Sequence, residues 1–246
     1  MLGVQFVNMS GHSHAKTVMA TKMANAAKKG KIFSKMGRLI TIAAKDGGDP
    51  NKNSKLKAAI DQAKSFDMPK ENIERAIEKG TGALVGENLE EVSYEGFGPG
   101  GIALIIEGIT DNTNRTLGEI KTILNQNNGK MAGTGAVRWM FDRKGAITVS
   151  GDGKSKEDLE LIAIELDAED VNWHDNSLDI YTRPEDLEKI KKTLEEKQIK
   201  IDSASLDYIA KEEIGISERE KEQAEKLFEA LDENDAINNV YSNIKN

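Results

Sequence analysis

Residues 143–204 change hydrophobic period repeatedly, and the order of those changes admits few folds. Short runs rich in β-branched and aromatic residues, AITVS (146–150), DVNWH (170–174), LDIYT (178–182) and IKIDS (199–203), read as strands. Between the first two, KEDLELIAIEL sets Leu159, Ile162, Ala163 and Leu166 on one helical face. Between the last two, PEDLEKIKKTLEE carries Pro184 at its start, where a missing N–H costs a helix nothing. The resulting β-α-β-β-α-β order is that of a ferredoxin-like domain.

The flanks read differently. Residues 14–80 read as all helical, with the segment from His14 to Lys29 as an arm or first helix. In KIFSKMGRLITIAAK the apolar Ile32, Phe33, Met36, Leu39, Ile40 and Ala43 share one arc, and Lys31, Lys35, Arg38 and Lys45 share another. GGDP (47–50) ends this helix; a second starts near Ser54, and a third follows Pro69 and stops at Gly80. Beyond residue 81, LEEVSYEG and GIALIIEGIT read as strands around the turn FGPG. A helix capped by Thr110 or Asp111 follows, with Leu117, Ile120 and Leu124 inward, and AVRWMF (136–141) returns as a strand. Near the end, Ser217 and Glu220 form a capping box ahead of an Ala224, Leu227, Phe228, Leu231 stripe, and AINNVYSN is a short strand. A lone helix and strand cannot bury themselves, so they are expected to complete the β-α-β unit at 91–142. The expected fold is therefore α+β with three domains. These are a helical bundle (1–80), a discontinuous α/β domain (81–142 with 205–246) and a ferredoxin-like domain (143–204) inserted in it.

Charge divides the chain along the same lines. Residues 1–80 carry 15 Lys/Arg against 7 Asp/Glu, and residues 81–246 carry 19 against 35, within a formal net charge of -8. Such a split points the basic end at a polyanion, or at the chain's own acidic parts. Through residue 45 the basic end holds seven Lys, one Arg and no acid. A lysine row grips phosphates and releases counterions, but reads bases poorly. The acidic clusters LDAED (166–170) and ALDENDA (230–236) are read as solvated helix ends, with loose Mg²⁺ binding, imitation of nucleic acid or repulsion of it from the wrong face as alternatives.

Other chemistry finds little support. GFGPGG satisfies a G-x-G-x-x-G spacing at Gly96, Gly98 and Gly101, but a strand-like run follows it where a dinucleotide needs a helix N-terminus. His12 and His14 lack a third ligand nearby, and His174 beside Trp173 reads as structural. With no cysteine and three histidines, no catalytic triad, metal site or cofactor is expected, and no enzyme. The longest apolar run, near IALIIEGI, falls short of the roughly 18 residues of a membrane span. MLGVQFVN lacks the basic start of a signal peptide, so a cytoplasmic protein without membrane contact is expected.

Several stretches resemble the YebC family: GHS (11–13), AAKKGKIFSK (26–35), MPKENIERAIEKGTG (68–82), YEGFGPGGIALIIEGITDNTNRT (94–116), FDRKG (141–145), AEDV (168–171) and VYSN (240–243). The resemblance implies a helical bundle and two α/β domains around a cavity. It also implies a DNA-binding transcriptional regulator, with ribosome-associated translation, as in the related mitochondrial translational activator of cytochrome oxidase, as the alternative. The sequence departs from the family where relatives continue GHS with a Lys-Trp pair and more His, Arg and Lys. Here Ala15 takes the Trp position, and Val18, Met19, Ala20 and Thr21 take others. MSGHS matches the family's usual start, so Met9 and Met1 both stand as candidate starts. Lys16, Lys22, Lys28, Lys29, Lys31, Lys35, Arg38 and Lys45 are the expected phosphate contacts, to DNA or to ribosomal RNA. The acidic domains would face protein partners, and a protein-interaction scaffold is the reading from another class.

Overall fold

The computed structural model describes residues 26–86, 88–151, 153–174 and 176–245. Helix α1 (Ala26–Ala44) packs against α2 (Ser54–Ser65) and α3 (Lys70–Gly80). Ile32, Met36, Ile40 and Ala43, three or four residues apart, form its buried face and meet Leu56, Ile60, Ile73 and Ala76. Two close fits fix the geometry. The Asn53 side chain caps α2 by accepting from the Leu56 N–H (3.0 Å), and it donates to the Ala43 and Gly47 carbonyls at 2.7 and 2.8 Å. One carboxamide thus closes the end of one helix and the start of the next. At Gly80, a Cβ would strike the Thr41 carbonyl and Ala44, so glycine permits the approach of α3 to α1.

Strand β1 (Glu90–Phe97) forms a hairpin with β2 (Ala103–Thr110), and α4 (Thr113–Gln126) and the two-residue β3 (Lys130–Met131) follow. The GFGPGG stretch is the hairpin turn: Gly100 and Gly101 have φ of 68° and 79°, and Gly98 N–H donates to Ile102 O at 2.8 Å. That conformation suits glycine, and strand β2 follows the turn where a dinucleotide motif needs a helix. The α4 cap is Asn112 rather than Thr110 or Asp111. Leu117, expected inward, is exposed; Thr116 takes the inner place, its hydroxyl donating to Thr110 Oγ1 at 2.8 Å.

The sheet is completed from the far end of the chain. Helix α7 (Glu218–Asp232), with the Ser217–Glu220 capping box in place, leads into β8 (Ile237–Ser242), which pairs antiparallel with β2. The strand order is β3-β1-β2-β8. Ile102, Leu104 and Ile106 of the sheet side meet Ile120, Leu124, Leu227, Phe228 and Leu231 from α4 and α7.

The second sheet contains β4 (Phe141–Ser150), β5 (Asp170–His174), β6 (Ser177–Thr182) and β7 (Ile201–Ala210), in the order β5-β6-β4-β7. Helices α5 (Lys156–Glu165) and α6 (Leu187–Glu196) cover one face through Leu159, Ala163, Ile190 and Leu194. This spatial order is the ferredoxin-like one. The first sheet has the same layout, but its chain enters at β1, so the connectivity is permuted relative to the second. The result is a mixed α/β fold with two antiparallel sheets.

Two expectations shift. AVRWMF is not a strand: Arg138–Met140 is a 3-10 turn, and Phe141 opens β4. The buried Glu95 carboxylate draws in the N–H groups of Gly135, Val137 and Arg138 at 2.8, 2.8 and 3.1 Å, which curls the backbone away from a ladder. In addition, β4 and β7 run through residues 142/143 and 204/205, so divisions there would cut two continuous strands. Their paired ends pack with Ala103, Ile105 and Tyr241 of the first sheet through Phe141 and Tyr208.

Candidate nucleic-acid interface

The basic face of α1 meets the acidic turn that follows α7. Lys35 is 2% exposed; its ammonium donates to the Asp232 carbonyl at 2.6 Å and to Asp232 Oδ1 at 3.3 Å. Lys31 pairs with the Glu233 carboxylate, and that hydrogen bond raises the lysine's pKa. Arg38 Nη1 donates to the Ile109 and Asp235 carbonyls at 3.3 and 3.2 Å. Lys45 donates to Leu89 O at 2.6 Å.

The arrangement has a simple cause. The last turn of α7 leaves carbonyls without intrahelical donors, and its dipole adds negative charge to Asp232 and Glu233. Lysines projecting from α1 satisfy both needs. ALDENDA is therefore the dock for the chain's own basic helix.

This redirects half of the expected phosphate contacts. Lys31, Lys35, Arg38 and Lys45 hold the bundle to the α/β part, and buried Lys35 has no path to a phosphate. Lys16 and Lys22 lie outside the described residues, as does the Lys28 side chain; so does the 14–22 segment that departs from the family pattern. Lys29 is exposed. Further cations that the expectation passed over are exposed on α2: Lys55, Lys57 and Lys64. None of these four makes an ion pair among the described residues.

The chain's N-terminal third matches the model of the "TACO1/YebC protein N-terminal domain" over residues 13–83, and residues 89–244 match that of the "TACO1/YebC second and third domain". The chain belongs to the TACO1/YebC family. A probable transcriptional regulatory protein of Thermoanaerobacter pseudethanolicus is 46% identical over 239 residues, 96% of this chain and 97% of that one. Another, from Prosthecochloris aestuarii, is 45% identical over 239 residues, 96% of both chains. The crystal structure of a conserved hypothetical protein from Aquifex aeolicus superposes with a TM-score of 0.84 at 40% identity, covering 92% of this chain and 93% of that one.

Within this TACO1/YebC chain, other polar groups have structural partners. His174 Nδ1 lies 3.0 Å from buried Asp179, which also accepts from Thr148 at 2.8 Å. Among the described residues no group of three or more His, Asp or Glu is placed to hold a metal, and no helix is long and apolar enough to cross a membrane. One exposed feature escaped the sequence reading: Trp139, whose ring is 66% exposed. Its signal was faint, one of two aromatics in a run that reads as a strand.

Proposed function

We propose that this protein is a nucleic-acid-binding regulator of gene expression, a DNA-binding transcriptional regulator that acts by binding and not by turnover. The observation that carries this reading is the division of labour among the bundle's cations. Lys31, Lys35 and Arg38 of α1 are engaged with the end of α7 and the turn after it, whereas Lys29, Lys55, Lys57 and Lys64 are exposed without ion pairs among the described residues. With Lys16, Lys22 and Lys28 they are the phosphate contacts of this reading. The names of the relatives agree with this role. The strongest polar clusters in the rest of the chain hold its parts together, which favours a binding role, and a cytoplasmic location goes with it. The division into a helical bundle, a discontinuous α/β domain and an inserted one belongs to the same proposal. It is supported by the two sheets and by the docking of α1.

Binding to duplex promoter fragments across a salt series tests it. A log-log slope of about -0.9 per phosphate contact is expected, and charge reversal at Lys55, Lys57 and Lys64 should flatten it. An unchanged slope and affinity in that variant would overturn the assignment. Ribosomal RNA offers the same phosphates, so co-sedimentation with ribosomes that nuclease abolishes, without duplex binding, would move the role to translation. Capture of acidic protein partners alone would make the chain a scaffold.

A further inference from the structure

An exposed tryptophan that packs nothing is costly unless something covers it, and the surroundings of Trp139 are built to hold it still. Its indole N–H donates to the Ala136 carbonyl at 3.0 Å, which sets the ring's orientation. The turn carrying it is fixed on both sides by buried Val137 and Phe141. From beneath, Glu95 gathers three backbone N–H groups of the same turn. Rigid, amphipathic and largely exposed, the ring loses little entropy on contact.

Cations flank it. The Arg138 and Arg143 guanidinium groups lie 5.3 and 4.4 Å from the Tyr208 ring centre, and this stacking holds them flat. Arg138 donates to Ser93 Oγ at 2.7 Å with Glu95 at 3.7 Å, and Arg143 donates to Glu107 at 3.3 Å. Each guanidinium carries five N–H donors, so both retain donors for another acceptor. Lys211 is tied to the same turn through its N–H to Met140 O (2.9 Å), and its ammonium stands 3.4 Å from Asp142 at the surface.

A fixed, largely exposed ring on a turn and strand that also carry planar cations matches one chemistry: a base whose face is free, with a phosphate next to it. Duplex bases are already stacked and offer no such face. We propose that Trp139 is a stacking platform for an unpaired base of single-stranded nucleic acid, with Arg138 and Arg143 taking the adjoining phosphates. This rests on the nucleic-acid reading above and adds a preference for unpaired strands.

The test uses the full chain and labelled oligouridine, oligothymidine and a duplex of equal length. Trp139→Ala should weaken both single strands roughly tenfold or more and leave the duplex unchanged. Trp139→Phe, which keeps a ring, should recover much of the loss. In a Trp173→Phe background Trp139 is the sole indole, and single strands should quench its emission. The stronger response of oligouridine or oligothymidine tells RNA from DNA. Charge reversal at Lys55, Lys57 and Lys64 should weaken all three probes. If that variant loses binding while Trp139→Ala does not, the platform is refuted and the broader reading stands. If wild type binds none of the probes, both fall. Unchanged oligonucleotide affinity with loss of a protein partner in Trp139→Ala also overturns the platform.

Discussion

Replacing Lys35 by methionine removes the ammonium from the α1–α7 dock while keeping most of the stem's volume. The pair is closed off from water, with Lys35 2% and Asp232 9% exposed. Deleting one partner of a buried pair costs about 3–5 kcal/mol, because the other charge is left without compensation. Asp232 lies near the edge and can regain some water, which places the expected loss near the lower end, about 3 kcal/mol. The orphaned Asp232 carbonyl contributes to that loss. Lys31→Met, at a pair that is about half exposed, should cost about 1 kcal/mol or less and fade with salt. Urea unfolding, with hydrogen exchange across α1 and β8 to locate the opening, reads both. A double-mutant cycle with Asp232→Leu should show the double variant more stable than the sum of the single losses. The reasoning fails if Lys35→Met costs no more than Lys31→Met, or if the cycle shows no coupling.

Glu95 supplies a pH prediction. Burial pushes its carboxyl up, but the N–H groups of Val137, Gly135 and Arg138 and the Arg138 charge outweigh burial and hold it below the ordinary value. Its stabilisation is therefore complete above the unfolded value of about 4.3 and is lost as pH falls through the lower folded one. Hydrogen exchange in residues 133–140 should accelerate over that acid range, and Glu95→Gln should be loosened already at neutral pH. Asn53→Ala removes a helix cap and two donors to carbonyls, for a loss of about 2 kcal/mol in urea unfolding. Asn238 is buried with neither carboxamide atom hydrogen-bonded, so Asn238→Leu should raise the urea midpoint by the equivalent of about 1 kcal/mol. By contrast, Trp139→Ala should leave stability within about 0.5 kcal/mol, since its ring is mostly solvent-exposed.

The sequence displayed what local physics controls. The Ile32–Met36–Ile40 face, the Ser217 capping box and the alternating runs of the second sheet each follow from period or hydrogen-bonding chemistry within a few residues. The basic stripe of α1 was equally visible, but a stripe looks the same whether it faces water or a carboxylate. Its partner lies 197 residues on from Lys35, and nothing local links ALDENDA to it. Glu95 was hidden for a related reason. A carboxylate in strand β1 reads as an outward residue until the 133–138 backbone folds over it. Leu117 and Thr116 exchanged places because a hydroxyl pair with Thr110 can fill an inner position that apolarity alone would give to leucine.

That distance along the chain also has a consequence in time. Synthesis at roughly 5–20 residues per second separates the emergence of Lys35 from that of Asp232 by roughly ten to forty seconds. Throughout that interval Lys31, Lys35 and Arg38 face solvent on a helix whose dock has not been made. A growing chain thus exposes a basic stripe that the finished protein pairs with its own acids. The last fifteen residues convert it, supplying the acidic turn and the strand that closes the first sheet in one stroke. Chains halted before Asp232 should cling to polyanions that the full-length protein releases.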